Sequence, residues 1–232
     1  MYPKHFCLEH LLPEHLPLRA VATAAILTAF AGGAALAHPH VQVSVKTVVV
    51  LDDAGEITAL RHAWTFDEPF SAFSTTGLDT NKDGKLDRDE LAALAQVNVE
   101  SLHEYDFFSY LSQGKSKGKS KSGFGAVKDY YLSHDGKALT LHFTLPVENN
   151  RFPVRDARLE VYDPSYFVAF EFEKTAPVSV EGGKLACTAH ITPPSASVTS
   201  RLSQMSESFF QSLNSAGSGS AEWAIPVRFE CK

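Results

Sequence analysis

From Val41 onward the chain alternates with a period of two. Val41, Val43 and Val45 take one side, and His40, Gln42, Ser44 and Lys46 take the other. Successive side chains of extended backbone point to opposite faces, so this pattern is a half-buried strand. Asp52-Asp53-Ala54-Gly55 reads as a turn, and Ile57 to Phe66 as the returning arm of a hairpin. The alternation recurs where Leu139, Leu141, Phe143 and Leu145 are set against Thr140, His142 and Thr144. Leu159 and Val161, then Val168, Phe170 and Phe172, then Val178 to Ile191 and Trp223 to Cys231 extend the set. Many short strands separated by turn signals predict a mainly antiparallel β-sandwich.

Three stretches depart from this period. Asp67 is placed to cap a short helix with Glu68 and Pro69 in its first turn, and Phe66, Phe70 and Phe73 share a face at helical spacing. Leu91, Leu94, Ala95, Leu102 and Tyr105 mark a longer helix running towards Tyr110, and Thr199 to Leu213 is an amphipathic helix near the C-terminus. Residues 112–122 are Gly, Ser and Lys apart from Gln113, a composition that cannot bury a core and reads as a flexible basic loop.

Between the first two helical stretches lies Asp79-Thr80-Asn81-Lys82-Asp83-Gly84-Lys85-Leu86-Asp87-Arg88-Asp89-Glu90. A hard divalent cation takes six to eight oxygen ligands, and an EF-hand loop supplies them from positions 1, 3, 5, 7, 9 and 12. Here those positions are Asp79, Asn81, Asp83, the Lys85 carbonyl, Asp87 and Glu90. Gly84 stands where the turn is too sharp for a side chain, and Leu86 is the apolar anchor. The residues predict a Ca²⁺ site of structural rather than signalling character, because sensor loops come in pairs and this one is alone. The predicted fold class is therefore α+β: an antiparallel β-sandwich with an inserted helix-loop-helix, a single EF-hand at 66–110, and a C-terminal helix.

The N-terminus predicts export. Arg19 precedes an apolar run from Ala20 to Ala31, and Ala35-Leu36-Ala37 supplies a small-x-small cleavage site. The run is too short to anchor in a bilayer. Residues 1–37 are thus expected to be a signal peptide and 38–232 one periplasmic domain. Cys7 falls in the leader, which leaves Cys187 and Cys231 as a pair in an oxidising compartment. Closing a loop of about 44 residues adds roughly 4 kcal/mol on the chain-entropy model. The net charge of −6 argues against nucleic acid and anionic membrane as partners.

Cleavage after Ala37 makes the chain begin His38-Pro39-His40. An N-terminal histidine offers its α-amine and ring Nδ1 together, and His40 adds a further nitrogen, a donor set suited to nickel, cobalt, zinc or copper. Pro39 has no amide proton, which rules out the amino-terminal site that needs a deprotonated amide at the second residue. His62 lies on the apolar face Leu60, His62, Trp64, Phe66, the position of a hydrogen-bonded core histidine and equally a candidate third nitrogen. No Gly-x-Ser-x-Gly elbow, His-Glu-x-x-His pair or phosphate-cradling glycine loop occurs, so a non-catalytic protein is expected.

Five stretches together resemble a known family: His38-Pro39-His40-Val41, Leu60 to Asp67, Gly77 to Glu90, Val161-Tyr162-Asp163-Pro164-Ser165-Tyr166-Phe167, and the closing cysteine. The chain is similar over nearly its whole mature length to a bacterial domain-of-unknown-function family commonly catalogued as the periplasmic component of an uncharacterised ABC-type transport system. The resemblance implies a periplasmic accessory of an inner-membrane metal permease or ABC transporter. Two other readings stand beside it: a copper-dependent oxidase using an N-terminal histidine brace with His62 or His142, and a calcium-stabilised structural or interaction module with no transition-metal site.

Overall fold

The Val-rich run predicted as a strand lies inside the larger of two sheets. The computed structural model describes residues 39–114, 122–193 and 224–232. The predicted signal peptide, the middle of the Lys-Ser loop and the predicted helix at Thr199 to Leu213 lie outside the described residues.

Strand β1 (Val41–Leu51) buries every second side chain, with Val43, Val45 and Val49 at 2%, 0% and 0% exposure. The Asp52 carboxylate turns the chain by accepting from the backbone N–H groups of Ala54 and Glu56, both at 3.0 Å. Gly55 supplies the positive φ that the turn requires, at 80°. The chain returns as β2 (Ile57–Phe66), antiparallel, with Val45 opposite Trp64 and Thr47 opposite His62. This is the hairpin expected from the sequence. Strand β6 (Leu139–Asn149) pairs with the other edge of β2 and places Phe143 opposite His62. Strands β4 (Gly123–Phe124) and β5 (Lys128–His134) both pair with β6.

The free edge of β1 is completed by two short strands running parallel to it. Strand β8 (Val168–Phe172) covers its first half, Val41 facing Val168, and β9 (Val178–Gly182) its second half, Thr47 facing Val178. A second, four-stranded sheet has the order β10 (Cys187–Ile191), β11 (Ile225–Cys231), β7 (Ala157–Val161), β3 (Ser109–Gln113). Both sheets contribute to one apolar core in which Trp64 meets Phe143 and Phe170 edge to face, with ring centroids 5.0 and 4.9 Å apart.

Helix α1 (Glu68–Ser74) starts where Asp67 caps it, its carboxylate accepting from Phe70 N–H at 2.8 Å. Buried Ser71 accepts the backbone N–H of Leu139 at 3.0 Å, which fastens the helix to the start of β6. Helix α2 (Arg88–His103) buries Leu91, Ala95 and Val99, one stripe at a four-residue interval, and a capping box formed by Asp87 and Glu90 starts it.

These elements overturn the predicted fold class. The described chain is mostly strand with two α-helices, and the paired helices of an EF-hand are not formed. Helix α1 has only 7 residues and ends ahead of Asp79. The hydroxyls of Thr75 and Thr76 donate to the carbonyls of Ser71 and Ala72 at 2.8 and 3.1 Å, and Gly77, with φ of 82°, takes the backbone out of helical space. Helix α2 stops at His103 instead of continuing towards Tyr110. Asp106, Phe107 and Phe108 there adopt φ of 51°, 53° and 46°, three consecutive left-handed residues that no right-handed helix can include. Burial of both phenylalanines and stacking of Phe108 on Tyr105 at 5.3 Å offset that strain. The β-rich part of the expectation fits, except that the two pairings along the edge of β1 are parallel. The Lys-Ser segment also begins later than predicted, since β3 runs to Gln113.

Cys187 and Cys231 face each other across β10 and β11 and form a disulfide. Replacing both by serine is expected to lower the unfolding free energy by roughly 4 kcal/mol on the loop-closure model. Urea denaturation of the oxidised protein and of the double variant measures this, and coincident midpoints would show that the bridge adds nothing.

Candidate functional site

The acidic loop is held together by its own backbone. Asp79 accepts from the N–H groups of Asp83 and Gly84 at 3.2 and 3.0 Å, Asn81 from Asp83 at 2.8 Å, and Asp83 from Lys85 at 2.8 Å. Gly84 has φ of 79°. Each of these bonds uses one lone pair of an oxygen and leaves another free. Glu90 reaches back across the loop: its Oε1 accepts from Thr80 N–H at 2.7 Å and Asn81 N–H at 3.2 Å, and its Oε2 from Asp87 N–H at 3.2 Å. Desolvation raises the Glu90 pKa, but the N–H groups of Asn81, Asp87 and Thr80 outweigh it and hold the carboxyl below its ordinary range. Leu78, just ahead of the loop, and Leu86, its eighth residue, pack on the core and tie the loop to the body.

The six ligand positions predicted from the sequence therefore lie in one short, internally bonded loop. Among the described residues no group of three or more His, Cys, Asp or Glu side chains stands in metal-holding geometry. The loop's four carboxylates, Asp79, Asp83, Asp87 and Glu90, are therefore not gathered around one point in this structure.

Among the described residues, His40, His62 and His142 are not brought together. His38 lies outside the described residues. His40 is exposed at the start of β1, its N–H donating to the Phe167 carbonyl at 2.9 Å and its ring stacked on Phe167 at 4.5 Å. His62 sits opposite Thr47, seven residues further along β1, which is about 23 Å at the rise of a strand. It is 3% exposed. Its Nδ1 lies 3.0 Å from the Thr47 hydroxyl and its Nε2 3.3 Å from the Ser109 hydroxyl. With both ring nitrogens engaged, His62 acts as a core histidine joining β2 to β3 across the two sheets. His142 is no nearer to His40: it faces Ala63, which in turn faces Lys46. The geometry that a brace completed by His62 or His142 requires is thus missing.

Burial pushes the His62 pKa down to about 3. The folded state keeps the ring neutral while the unfolded chain protonates near pH 6.5, so the stabilisation is fully present above pH 6.5 and lost as pH falls towards 3. His62→Gln is expected to flatten the stability profile over that window, where the wild type loses up to about 1.4 kcal/mol per pH unit from this group. Urea midpoints measured from pH 7 to pH 4 test it, and parallel profiles would exclude His62 as the source.

One contact was invisible in the sequence. The Arg88 guanidinium lies 3.5 Å over the Tyr131 ring, and His142 stacks on Tyr131 at 4.4 Å with its Nε2 3.0 Å from the Ser133 hydroxyl. Arg88 is the tenth residue of the acidic loop, so this stack connects the loop to the exposed face of the larger sheet. The pairing of β5 with β6 places the aromatic ring beneath Arg88.

The chain belongs to a family described as a protein of unknown function, DUF1007, whose profile matches residues 23–231. An uncharacterised protein of Haemophilus influenzae is 24% identical over 170 residues, which cover 73% of this chain and 79% of that protein. No helix among the described residues is long and apolar enough to cross a membrane. Together with the disulfide, this is compatible with an exported protein.

Proposed function

We propose that this is an exported, periplasmic, non-catalytic accessory of a transport system that binds one Ca²⁺ through the loop from Asp79 to Glu90. The observation that carries the reading is the hydrogen-bonded loop itself. Asp79, Asn81, Asp83, Asp87 and Glu90 are each held by backbone N–H donors, and the Lys85 carbonyl stands at the seventh position. Holding the loop backbone in place removes part of the ordering cost of binding a cation. The role is structural: a filled loop would fix the cap of α2 and so the docking of Leu91, Ala95 and Val99 on the core. Exported sites of this kind bind weakly, with Kd of about 0.1–1 mM, and stay filled where calcium is plentiful.

Calorimetric titration of the processed protein with Ca²⁺ is expected to give one saturable site in that range. Ligand at 100 times Kd stabilises by about 2.7 kcal/mol, or roughly 5–10 °C in Tm for a chain of this size. Glu90→Gln is expected to abolish both signals. Absence of heat and an unchanged Tm in the wild type would refute calcium binding.

The transport association comes from the family resemblance, and the second metal from the expected mature N-terminus. His38 and His40 without His62 leave two rings and an α-amine, a set that suits Ni²⁺, Co²⁺, Zn²⁺ or Cu²⁺. Nickel titration of a chain beginning at His38 is expected to show at least tenfold tighter binding than a chain carrying one additional N-terminal residue. Equal affinities would remove the N-terminus from the site.

A further inference from the structure

A groove lies on the face of the seven-stranded sheet turned away from the core. Its volume is about 440 Å³, within the usual range for small-molecule sites. Small side chains make its floor: Val48 of β1, Ala63 of β2 and Thr144 of β6. Two cations stand on one side, Lys46 and Arg61, and one carboxylate, Asp129, on the other. Tyr131 forms a wall, and its ring is clamped between His142 and Arg88.

Asp129 does not reach the groove by regular pairing. Lys128 faces Thr144 and Tyr131 faces His142, so three steps of β5 oppose two of β6 and the strand bulges between them. Asp129 sits in that bulge at φ of 51°, an uncommon conformation for a residue with a side chain. Its carboxylate makes no hydrogen bond or ion pair with the described residues. The two cations have partners that are easily exchanged. Lys46 pairs with Glu173 at 2.8 Å and Arg61 with Glu181, and all four side chains are substantially exposed, where an ion pair contributes little. Arg61 faces Thr144, which faces Lys128, so two strand spacings, about 10 Å, separate Arg61 from the strand that carries Asp129, and Lys46 lies one strand further, about 14 Å away.

From this arrangement we propose that the groove binds a short zwitterionic peptide of two or three residues, its terminal carboxylate held by Arg61 and Lys46 and its ammonium by Asp129. An extended tripeptide spans about 10 Å, which matches the separation of Arg61 from the strand that carries Asp129. The apolar floor accepts its backbone and small side chains, whereas a simple anion leaves Asp129 unanswered and a simple cation leaves Arg61 and Lys46 on their exposed glutamate partners. The assignment does not depend on calcium or on the N-terminal histidines.

Calorimetry with trialanine, its N-acetyl form and its C-terminal amide tests the assignment. Free trialanine is expected to bind saturably, and capping either end is expected to weaken binding at least fivefold. Asp129→Asn is expected to weaken free trialanine at least fivefold while leaving the N-acetyl form unaffected, and Arg61→Gln to do the same against the C-terminal amide. Both residues are exposed, and circular dichroism checks that the variants fold. No saturable binding of free trialanine, equal binding of capped and free forms, or competition by acetate as strong as by trialanine would each overturn the proposal.

Discussion

Everything in the larger sheet depends on satisfying both edges of β1. An 11-residue strand flanked on both sides leaves none of its backbone donors and acceptors to water, so each must find a partner in the chain. One edge is met locally by β2 through a turn. The other is met only by β8 and β9, strands from more than a hundred residues further on, each covering half of it. Gly182, at the end of this pairing, shows how close the approach is: a Cβ there would lie 2.4 Å from the Leu51 carbonyl oxygen.

Where partners are near in sequence, the fold was legible. The hairpin from Val41 to Phe66, the alternation of β6, the Asp67 cap and the pairing of Cys187 with Cys231 all follow from local pattern or from counting. What the sequence misplaced has a common physical origin. A stripe at helical spacing continues to Tyr105 and beyond, but burial of Phe107 and Phe108 outweighs helical geometry and forces the left-handed turn at Asp106. The first helix is short because Thr75, Thr76 and Gly77 end it, a stop signal masked by the calcium-loop match just after it.

The candidate sites divide along the same line. The acidic loop is local, and its twelve residues already name its donors. The histidines are not local, and a shared residue type says nothing of distance. His62 proved to be a strut between sheets, with hydroxyls from β1 and β3 on its two nitrogens. The groove on the sheet face could not be read at all, since its charged residues come from β1, β2 and β5 and meet only through register. Arg88 stands at the junction, belonging to the loop by sequence and to the groove wall by contact.

The parallel pairing along β1 has a consequence for biogenesis. A chain made from its N-terminus presents β1 before the strands that cover it, and its valine-rich open edge stays uncovered until Val168 to Gly182 has followed. Long-range closure of this kind slows folding and exposes a sticky strand to its neighbours in the meantime. The bridge between Cys187 and Cys231 forms only after β8 and β9 have followed, so it cannot guide their pairing with β1. A delay between the appearance of β1 and that of β8 and β9 is therefore a hazard that the topology builds into the molecule.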